Sequence, residues 1–222
     1  KEAVQGMAHE IKNPLGGIRG AAQLLEKELH SNDLMEYTQL IINESDRLRR
    51  FIDRMLTTSN QPVKSSMNIH EVLEYVVYVV KAENSRKLNI IKDYDPSIPD
   101  MLADREQIIQ AVLNLIRNAI QAIAEDGTIW LKTRINRQMT IQHQLNRHVV
   151  EIEIIDDGPG IPPEIEADAF YPMITSRAEG TGLGLSIAQQ LIQLHGGLIN
   201  YERKDNKTFF TILLPREQDD DE

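Results

Sequence analysis

The fold is decided by the stretch His9–Leu29, HEIKNPLGGIRGAAQLLEKEL, whose apolar residues recur every three or four positions. This spacing places them on one face of a helix. A second run over 34–55 has the same average period of about 3.5 residues, which is typical of a left-handed helical bundle. The polar residues 30–33 between the runs have the length of a turn, so we predict a helical hairpin over 1–60. The apolar positions are Val4, Met7, Ile11, Leu15, Ile18, Ala22, Leu25 and Leu29 in the first run, and Leu34, Tyr37, Ile41, Ser45, Leu48, Ile52 and Met55 in the second.

Two helices alone make a thin core, because each can bury only part of its apolar face against the other. Two copies of the hairpin would bury both faces within four helices. We therefore predict a homodimer that is held together by a four-helix bundle.

The composition restricts the class of protein. The chain has 222 residues and a formal net charge of −10, and an acidic surplus argues against a nucleic-acid-binding surface, which is normally basic. No cysteine is present, which excludes disulfides and thiolate zinc sites, and no apolar run approaches the ~20 residues of a membrane span. We expect a cytoplasmic protein with no membrane or nucleic-acid partner. Because the helical pattern is already under way at residue 1, we also expect the chain to be part of a longer one.

The remaining chain, 68–216, mixes helix and strand patterns after a linker at 61–67 that contains Pro62. Asn68 and Asp104 are predicted N-caps of helices that end near residues 85 and 125. The order of elements indicates an α/β sandwich with one mixed sheet under helices, so the overall class is α+β, with an acidic tail at 217–222. Further predicted elements are a helix over 185–195, strands over 88–94, 128–135, 149–156, 198–203 and 208–214, and a polar loop over 136–148.

His9 falls opposite the apolar face of its helix and is predicted to face solvent. A single histidine is most often a surface residue without chemistry. Here Glu10 is adjacent and could hold one imidazole nitrogen in its protonated form, which leaves the other nitrogen as a nucleophile. Asn13 lies one turn along and could position a water molecule. Pro14 removes a helical hydrogen bond from the carbonyl of Glu10, and the bend expected there is either a tolerated kink or a local hinge.

Two glycine-containing stretches have the composition of a nucleotide site. Glycines at 180, 182 and 184 open a helix, where phosphates can approach backbone N–H groups at the positive end of the helix dipole. Their spacing fits neither a P-loop nor the dinucleotide fingerprint, so a flexible loop is an equal alternative. Asp156 ends a buried strand at DDGPG, where its carboxylate either accepts a hydrogen bond from the amine of adenine or simply ends the strand in a turn.

The helix after Asp104 has a polar face of unusual composition. Asn114, Arg117, Asn118 and Gln121 share that face, whereas the apolar residues share the other. A solvated face normally mixes lysine and glutamate. Two asparagines one turn apart with an arginine suit phosphate groups and an oxygen ligand for Mg²⁺.

Five motifs together resemble those of one family. HEIKNPL, NLIRNAIQA, DDGPGIP, FYPM and GTGLGL are similar, in order and spacing, to the H, N, G1, F and G2 boxes of sensor histidine kinases. The resemblance covers nearly the whole chain and is narrower for the nitrogen-regulation (NtrB) type, whose amino-terminal PAS sensor is not part of this sequence. It implies a dimerisation and phosphotransfer hairpin followed by a Bergerat-type ATP-binding domain.

The resemblance also implies a function. It is ATP-dependent autophosphorylation of His9, phosphotransfer to an aspartate of an NtrC-type response regulator, and dephosphorylation of that regulator, which a PII-type signal protein would favour. Glu10 is the implied acid–base partner of His9, and Asn13 is implied in dephosphorylation. The implied cofactors are ATP and Mg²⁺, with Asn118 as the metal ligand. The implied nucleotide-binding residues are Asn114, Arg117, Asn118, Gln121, Asp156, Gly158, Gly160, Ile161, Arg177, Gly180, Thr181, Gly182, Leu183, Gly184 and Thr208.

The chain departs from the family pattern in a short lid between Phe170 and Gly180, in Gln121 where many relatives have lysine, and in Lys207 where glycine is common. Two other functions fit the same motifs. An ATPase or serine kinase with this nucleotide fold needs no histidine on a hairpin and forms no acid-labile phosphate on the protein. A scaffold that retains ATP binding would bind nucleotide without turnover.

Overall fold

The structure is a computed structural model that describes residues 2–29, 32–57, 61–84, 88–124, 126–141, 144–176 and 182–216. Within these ranges, only the backbone is described for 2–11, 32–33, 47 and 49–57. The chain divides into two compact units, 1–60 and 61–222.

The first unit is the predicted helical hairpin, formed by α1 (Glu2–Glu28) and α2 (Asn32–Thr57). Because α2 already begins at Asn32, the break between the helices is shorter than the four residues predicted. α1 is continuous through Pro14, so the missing hydrogen bond does not end the helix.

A narrow seam joins the two helices. Its buried side chains include the small Ala22 and the polar Thr38 and Ser45. Arg19 Nε and Asp46 Oδ1 form an ion pair at 2.8 Å between the two helices. Most of the predicted apolar positions whose side chains are described remain exposed. The buried side chains are Leu15, Ala22, Thr38, Ile42 and Ser45.

The second unit contains the predicted mixed sheet, which has five strands in the order β2-β4-β5-β7-β6. β2 runs parallel to β4, and the other neighbours are antiparallel. A separate two-stranded sheet pairs β1 with β3. The strands are β1 (Ser65–Met67), β2 (Asn89–Asp93), β3 (Met101–Ala103), β4 (Thr128–Ile141), β5 (Gln144–Asp156), β6 (Leu198–Lys204) and β7 (Lys207–Pro215).

Helices α3 and α6 both pack against α4, which contacts β5, while α6 also contacts β6. Their apolar faces and the sheet enclose a core of fully buried branched and aromatic side chains, including Val72, Leu115, Ile152 and Phe210. Burial of this kind is the main stabilising term of a domain. The helices are α3 (Ile69–Glu83), α4 (Arg105–Ala122), α5 (Pro163–Glu166) and α6 (Gly184–Leu194).

Both predicted N-caps are confirmed. The side chain of Asn68 accepts a hydrogen bond from the backbone N–H of His70 at 2.9 Å. Asp104 Oδ1 accepts from the N–H groups of Glu106 and Gln107, each at 3.1 Å. These bonds satisfy donors that a helix start leaves without a partner, and they fix where α3 and α4 begin.

The predicted loop over 136–148 is wrong, because this segment is strand. β4 continues to Ile141 and β5 begins at Gln144, so the two form a long hairpin whose residues 142–143 lie outside the described ranges. The physical reason is burial. Ile141 packs with Val149 and Leu213 in a small apolar cluster, and Met139 and Leu198 pack against it.

Candidate functional site

Asp156 is the last residue of β5 and is only 1% exposed. The N–H of Gly158 donates to its Oδ1 at 2.9 Å. Its other oxygen, Oδ2, is buried and has no hydrogen-bond partner among the described residues. A buried acceptor without a donor is costly and rare, so this oxygen is suited to receive an N–H group from a ligand.

The electrostatics of Asp156 agree with this geometry. Burial raises the pKa of its carboxyl, and the negative charge of Asp157 acts in the same direction. The Gly158 N–H, the Thr208 hydroxyl and the charge of Arg203 oppose that rise by stabilising the ionised form. The carboxyl group is therefore buried, with donors that favour its ionised form and with one oxygen, Oδ2, that has no described partner.

The turn after β5 requires its two glycines. A Cβ on Gly158 would lie 2.7 Å from Asp156 Oδ1 and 2.9 Å from the carbonyl oxygen of Ala122, which is too close for any other residue. Gly160 has a φ of +81°, a left-handed conformation that glycine adopts without strain. The turn then continues to Ile161, whose N–H donates to the Tyr201 hydroxyl at 3.0 Å.

A second unpaired polar atom lies on α4. The Nδ2 of Asn114 is buried and has no hydrogen-bond partner in the described part of the chain. Gly184, the first residue of α6, lies beside it, because a Cβ on Gly184 would be 4.0 Å from both the Cβ and the carbonyl oxygen of Asn114. No side chain caps α6, since Leu183 occupies the N-cap position. An amide donor and an uncapped helix start therefore adjoin, which suits an anion.

α4 links these two places. Its residue Ala122 contacts Gly158 beside Asp156, and Asn114 lies eight residues earlier on the same helix. Eight residues of helix span about 12 Å, which separates an acceptor at one end from an anion-binding feature at the other. A nucleotide has this arrangement, with an amine on its base and phosphates at its far end.

The other predicted residues of α4 have partners of their own. Arg117 donates through Nη2 to Glu83 Oε1 at 2.6 Å and through Nε to Glu83 Oε2 at 3.2 Å. Asn118 is half-buried and Gln121 is exposed, and both interact with neighbouring groups. A phosphate at Arg117 would have to compete with the carboxylate of Glu83.

Two described residues, Met173 and Gly182, lie on either side of residues 177–181 of the predicted lid region and are hydrogen-bonded to each other. The N–H of Met173 donates to the carbonyl oxygen of Gly182 at 3.0 Å. Gly182 has a φ of +64°, and a Cβ there would lie 2.5 Å from the carbonyl carbon of Met173, so glycine is required. The sequence predictions for Arg177, Gly180 and Thr181 lie outside the described residues.

The predicted phosphoacceptor segment lies in α1. The backbone of His9 and Glu10 is helical, and their side chains lie outside the described residues. Asn13 and Pro14 are exposed on the helix that follows. The roles of His9, Glu10 and Asn13 remain predictions from the sequence.

Three further side chains make contacts that were not expected from the sequence, and two of them lie at the turn after Asp156. Arg203 Nη1 donates to the Gly158 carbonyl at 2.8 Å, and Tyr201 holds the same turn through its hydroxyl. His195 is buried at the end of α6, where its Nε2 accepts from the N–H of Asp104 at 3.0 Å. Strand register brings Arg203 and Tyr201 to the turn, while the end of α6 places His195 at Asp104. The one signal in the sequence was a basic residue, Arg203, close to the turn of the β6–β7 hairpin.

No three histidine or carboxylate side chains of the described residues converge to form a metal cage. In the same residues, no helix is long and apolar enough to cross a membrane.

The sequence matches the family of histidine kinase-, DNA gyrase B- and HSP90-like ATPases over residues 103–218. It also matches the His Kinase A (phospho-acceptor) domain over residues 1–61. A sensory histidine kinase/phosphatase NtrB of Vibrio alginolyticus is 49% identical over 97% of this chain, and a second from Rhizobium meliloti is 40% identical over 94%. The chain spans 62% and 56% of the lengths of those two relatives.

Solved structures give the same result. The histidine kinase ThkA in complex with the response regulator protein TrrA is similar with a TM-score of 0.64 and 28% identity, over 98% of this chain and 62% of that one. Full-length ShkA in complex with AMPPNP has a TM-score of 0.68 over 98% of this chain and 46% of that one, and at 22% identity it supports the fold alone. The chain therefore belongs to the histidine kinase-, DNA gyrase B- and HSP90-like ATPase family, as a histidine kinase core that joins the ATPase domain to a phospho-acceptor hairpin.

Proposed function

We propose that the chain autophosphorylates on His9 with ATP and passes the phosphoryl group to an aspartate of a response regulator. The observation that carries the proposal is a pair of buried, unpaired polar atoms, Asn114 Nδ2 on α4 and Asp156 Oδ2 at the end of β5, close to the end of the same helix. They lie in an ATPase-family domain that follows a phospho-acceptor domain in the same chain.

The adenine end of ATP is assigned to Asp156. Its unpaired Oδ2 accepts from the 6-amino group, and the glycines at 158 and 160 let the base approach the backbone. The phosphates are assigned to the start of α6, where Asn114 Nδ2 donates to a phosphate oxygen. Gly182, Leu183 and Gly184 supply the backbone of this end of the site.

Mg²⁺ fits the same site when it arrives with the nucleotide. This ion keeps several waters and takes phosphate oxygens with only one or two protein ligands. Asn118 lies one turn of α4 beyond Asn114 and is the residue that would supply an amide oxygen. Bound there, the ion would neutralise charge on the phosphates during transfer.

In the proposed autophosphorylation, His9 is the nucleophile. One imidazole nitrogen attacks the γ-phosphorus, the bond from that phosphorus to the bridging oxygen of ADP breaks, and ADP leaves with the electron pair. Glu10 takes the proton from the other imidazole nitrogen. The phosphoryl group then moves from the imidazole nitrogen to a carboxylate oxygen of the regulator. As the phosphorus–nitrogen bond breaks, Glu10 returns the proton to the ring, which restores neutral His9.

We further propose that two chains form the hairpin bundle. One apolar seam is buried within the chain at Leu15 and Ala22, seven residues apart. A second seam, also spaced by seven, is left exposed, with Leu34, Ile41 and Leu48 all more than 40% exposed. Heptad spacing on both seams is the pattern of a four-helix bundle, and a second hairpin would cover the exposed one.

The names of the relatives support the remaining assignments. The relative from Vibrio alginolyticus is a sensory histidine kinase/phosphatase NtrB, so we propose nitrogen regulation, an NtrC-type regulator and phosphatase activity for this chain. A PII-type signal protein is proposed as the partner that favours the phosphatase. We place these reactions in the cytoplasm.

The test is uptake of label from γ-labelled ATP by the purified chain. We expect a phosphate that is lost in acid and stable in base, and none in His9→Gln. The matched control is His30→Gln, which changes a histidine of the same hairpin and should label normally. Label on His9→Gln contradicts the assignment, acid-stable label favours a serine kinase, and ATP binding without turnover favours a scaffold.

The phosphatase assignment has a separate test in Asn13→Ala. Because Asn13 is exposed one turn beyond His9, its amide can hold a water molecule near the regulator's phosphoaspartate. We expect a loss of about tenfold or more in regulator dephosphorylation with autophosphorylation largely retained. Equal loss of both activities would contradict this role.

A further inference from the structure

Three polar side chains form one row across the edge of the nucleotide site. Asp156 on β5 pairs with Thr208 on β7, and Thr208 pairs in turn with Arg203 on β6. Side chains directly opposite each other in antiparallel strands lie on the same face, about 5 Å apart. The carboxylate, the hydroxyl and the guanidinium are therefore direct neighbours in that order.

Arg203 is bonded to both groups that hold the carboxylate. Its Nη1 donates to the carbonyl oxygen of Gly158 at 2.8 Å and to Thr208 Oγ1 at 3.3 Å. The N–H of the same Gly158 donates to Asp156 Oδ1 at 2.9 Å. One guanidinium is thus bonded to the carbonyl oxygen of Gly158, whose N–H holds the carboxylate, and to the hydroxyl of Thr208.

The direction of the Thr208 hydroxyl follows from this bond. A guanidinium is always a donor, so Thr208 Oγ1 accepts from it and keeps its own hydrogen for another acceptor. The neighbouring acceptor is Asp156, whose carboxylate the Thr208 hydroxyl stabilises. Oδ2 of Asp156 has no hydrogen-bond partner among the described residues and is the oxygen left for a ligand.

We propose that Arg203 is a positioning residue that orients Asp156 and thereby sets the preference for purines that carry a 6-amino group. The inference rests on the proposed function, because it requires the base to lie against Asp156. Arg203 does not touch the nucleotide in this role. It acts through Thr208 and Gly158, which keep Oδ2 directed at the amine.

Tyr201 gives a contrast on the same strand. Its hydroxyl accepts from the N–H of Ile161, and its ring packs 5.4 Å from that of Phe210. It therefore holds the far side of the turn and does not belong to the row that contains Asp156. Loss of its hydroxyl should loosen the turn without changing which oxygen of the carboxylate is free.

The experiment compares two nucleotides on the full chain by calorimetric titration. The probes are ATP and purine riboside 5′-triphosphate, which lacks only the 6-amino group. We expect the wild type to bind ATP about tenfold more tightly, as is usual for a hydrogen bond to a charged group. In Arg203→Met this affinity ratio should fall about threefold or more. The ratio for Arg203→Lys should lie between those of the wild type and Arg203→Met.

Two controls separate this role from general loosening. Tyr201→Phe should weaken binding of both nucleotides by the same factor and leave the ratio unchanged. Lys204→Met changes an exposed basic neighbour of Arg203 on the opposite face of β6 and should leave both affinities unchanged. Thermal unfolding of each variant checks that it is folded. If Arg203→Met does not fold, the affinity ratio of Arg203→Lys tests the inference.

The outcomes distinguish the inference from the function on which it rests. An unchanged ratio in a folded Arg203 variant overturns the inference while ATP binding by the wild type still supports the function. A ratio that falls equally in Tyr201→Phe also overturns it, because the effect would then belong to the turn as a whole. If the wild type binds neither nucleotide, the proposed site is wrong and the inference is wrong with it.

Discussion

The two units of the chain differ in how completely each buries its apolar side chains. In the second unit, Val72, Leu115 and Ile152 are fully buried between helices and sheet. In the hairpin, Leu24 and Tyr37 are 67% and 65% exposed. Large exposed apolar surfaces usually mark a binding site for another protein. The second unit, called the nucleotide unit below, therefore buries its core within one chain, whereas the hairpin leaves an apolar surface that the proposed second chain would cover.

This difference has a chemical counterpart. The nucleotide unit needs fixed donors and acceptors, and it holds Asp156 and Asn114 on a strand end and a helix inside a packed domain. In the proposed reaction, the hairpin would present His9 to two different reactants, the ATP and the regulator. A helix in a two-chain bundle can serve this purpose, because the proposed bundle would stabilise it through its apolar seams.

The largest expected effect is in the core of the second unit. Phe210→Ala removes a fully buried ring, which should lower the free energy of unfolding by about 3–5 kcal/mol. Trp130 is the single tryptophan of the chain and lies in this unit, so its fluorescence during urea unfolding reports the unit alone.

The matched control for Phe210→Ala is Phe209→Ala. Phe209 is the next residue on β7 and points to the opposite face of the sheet, where it is only half-buried. Its removal should cost clearly less. Equal costs would show that the helix-covered face is not the principal core, and the contrast between the two units would weaken.

The sequence predicts the elements whose causes are local. The caps at Asn68 and Asp104 depend on groups two or three residues away, and the turn of the β6–β7 hairpin depends on Asp205 and Asn206, which both adopt positive φ. Such features can be read from a short window. The apolar and polar faces of α4 are similarly visible, because a helix repeats within four residues.

Features that depend on distant contacts were not predicted. Residues 136–148 are polar and indicate a loop, yet Ile141 is buried against Leu213, which lies far along the chain. The role of Arg203 depends on strand register across β5, β7 and β6, which no local pattern contains. Of the nucleotide-site residues implied by resemblance, the structure brings Asp156, Gly158 and Thr208 together, and it gives Arg117 a carboxylate partner instead of an open position.

The second prediction separates the site of the nucleotide unit from its core. Asp156→Asn replaces the unpaired acceptor and removes its charge, so ATP affinity should fall about fiftyfold to hundredfold. The overall fold should be retained, because the amide oxygen can still accept from Gly158. Calorimetric titration with ATP measures the effect, and retained affinity would contradict the assignment of the adenine end to Asp156.

The same variant gives a pH test. Burial raises the pKa of Asp156 above its ordinary value of 3.8, so the folded state holds the proton at pH values where the unfolded state has lost it. In the absence of nucleotide, the protonated carboxyl of Asp156 contributes to the free energy of unfolding below pH 3.8. This contribution is lost as the pH rises through the raised pKa of the folded state. The urea midpoint of the wild type should fall relative to that of Asp156→Asn across this window. Parallel curves for the two proteins would contradict the raised pKa.

The third prediction tests the incompleteness of the hairpin. Ile41 is 42% exposed on the second seam, and Ile41→Ala should weaken the dimer about tenfold, since each of the two chains loses part of a buried side chain. Sedimentation equilibrium over a dilution series measures this change. Glu44→Gln changes a nearby exposed residue of the same helix and serves as the control. A wild type that stays monomeric at all concentrations would contradict the comparison itself.

The smallest effect is expected at the surface pair Arg117 and Glu83. Both side chains are nearly half exposed, so Glu83→Gln should change the free energy of unfolding by less than about 1 kcal/mol. If the freed guanidinium then turns to the phosphates, ATP affinity should rise about twofold to threefold. Glu74→Gln removes the other described α3 carboxylate that is ion-paired, to Lys92, and should leave ATP affinity unchanged. An unchanged affinity in Glu83→Gln would show that Arg117 only ties α4 to α3, and that the nucleotide unit binds ATP through its buried groups.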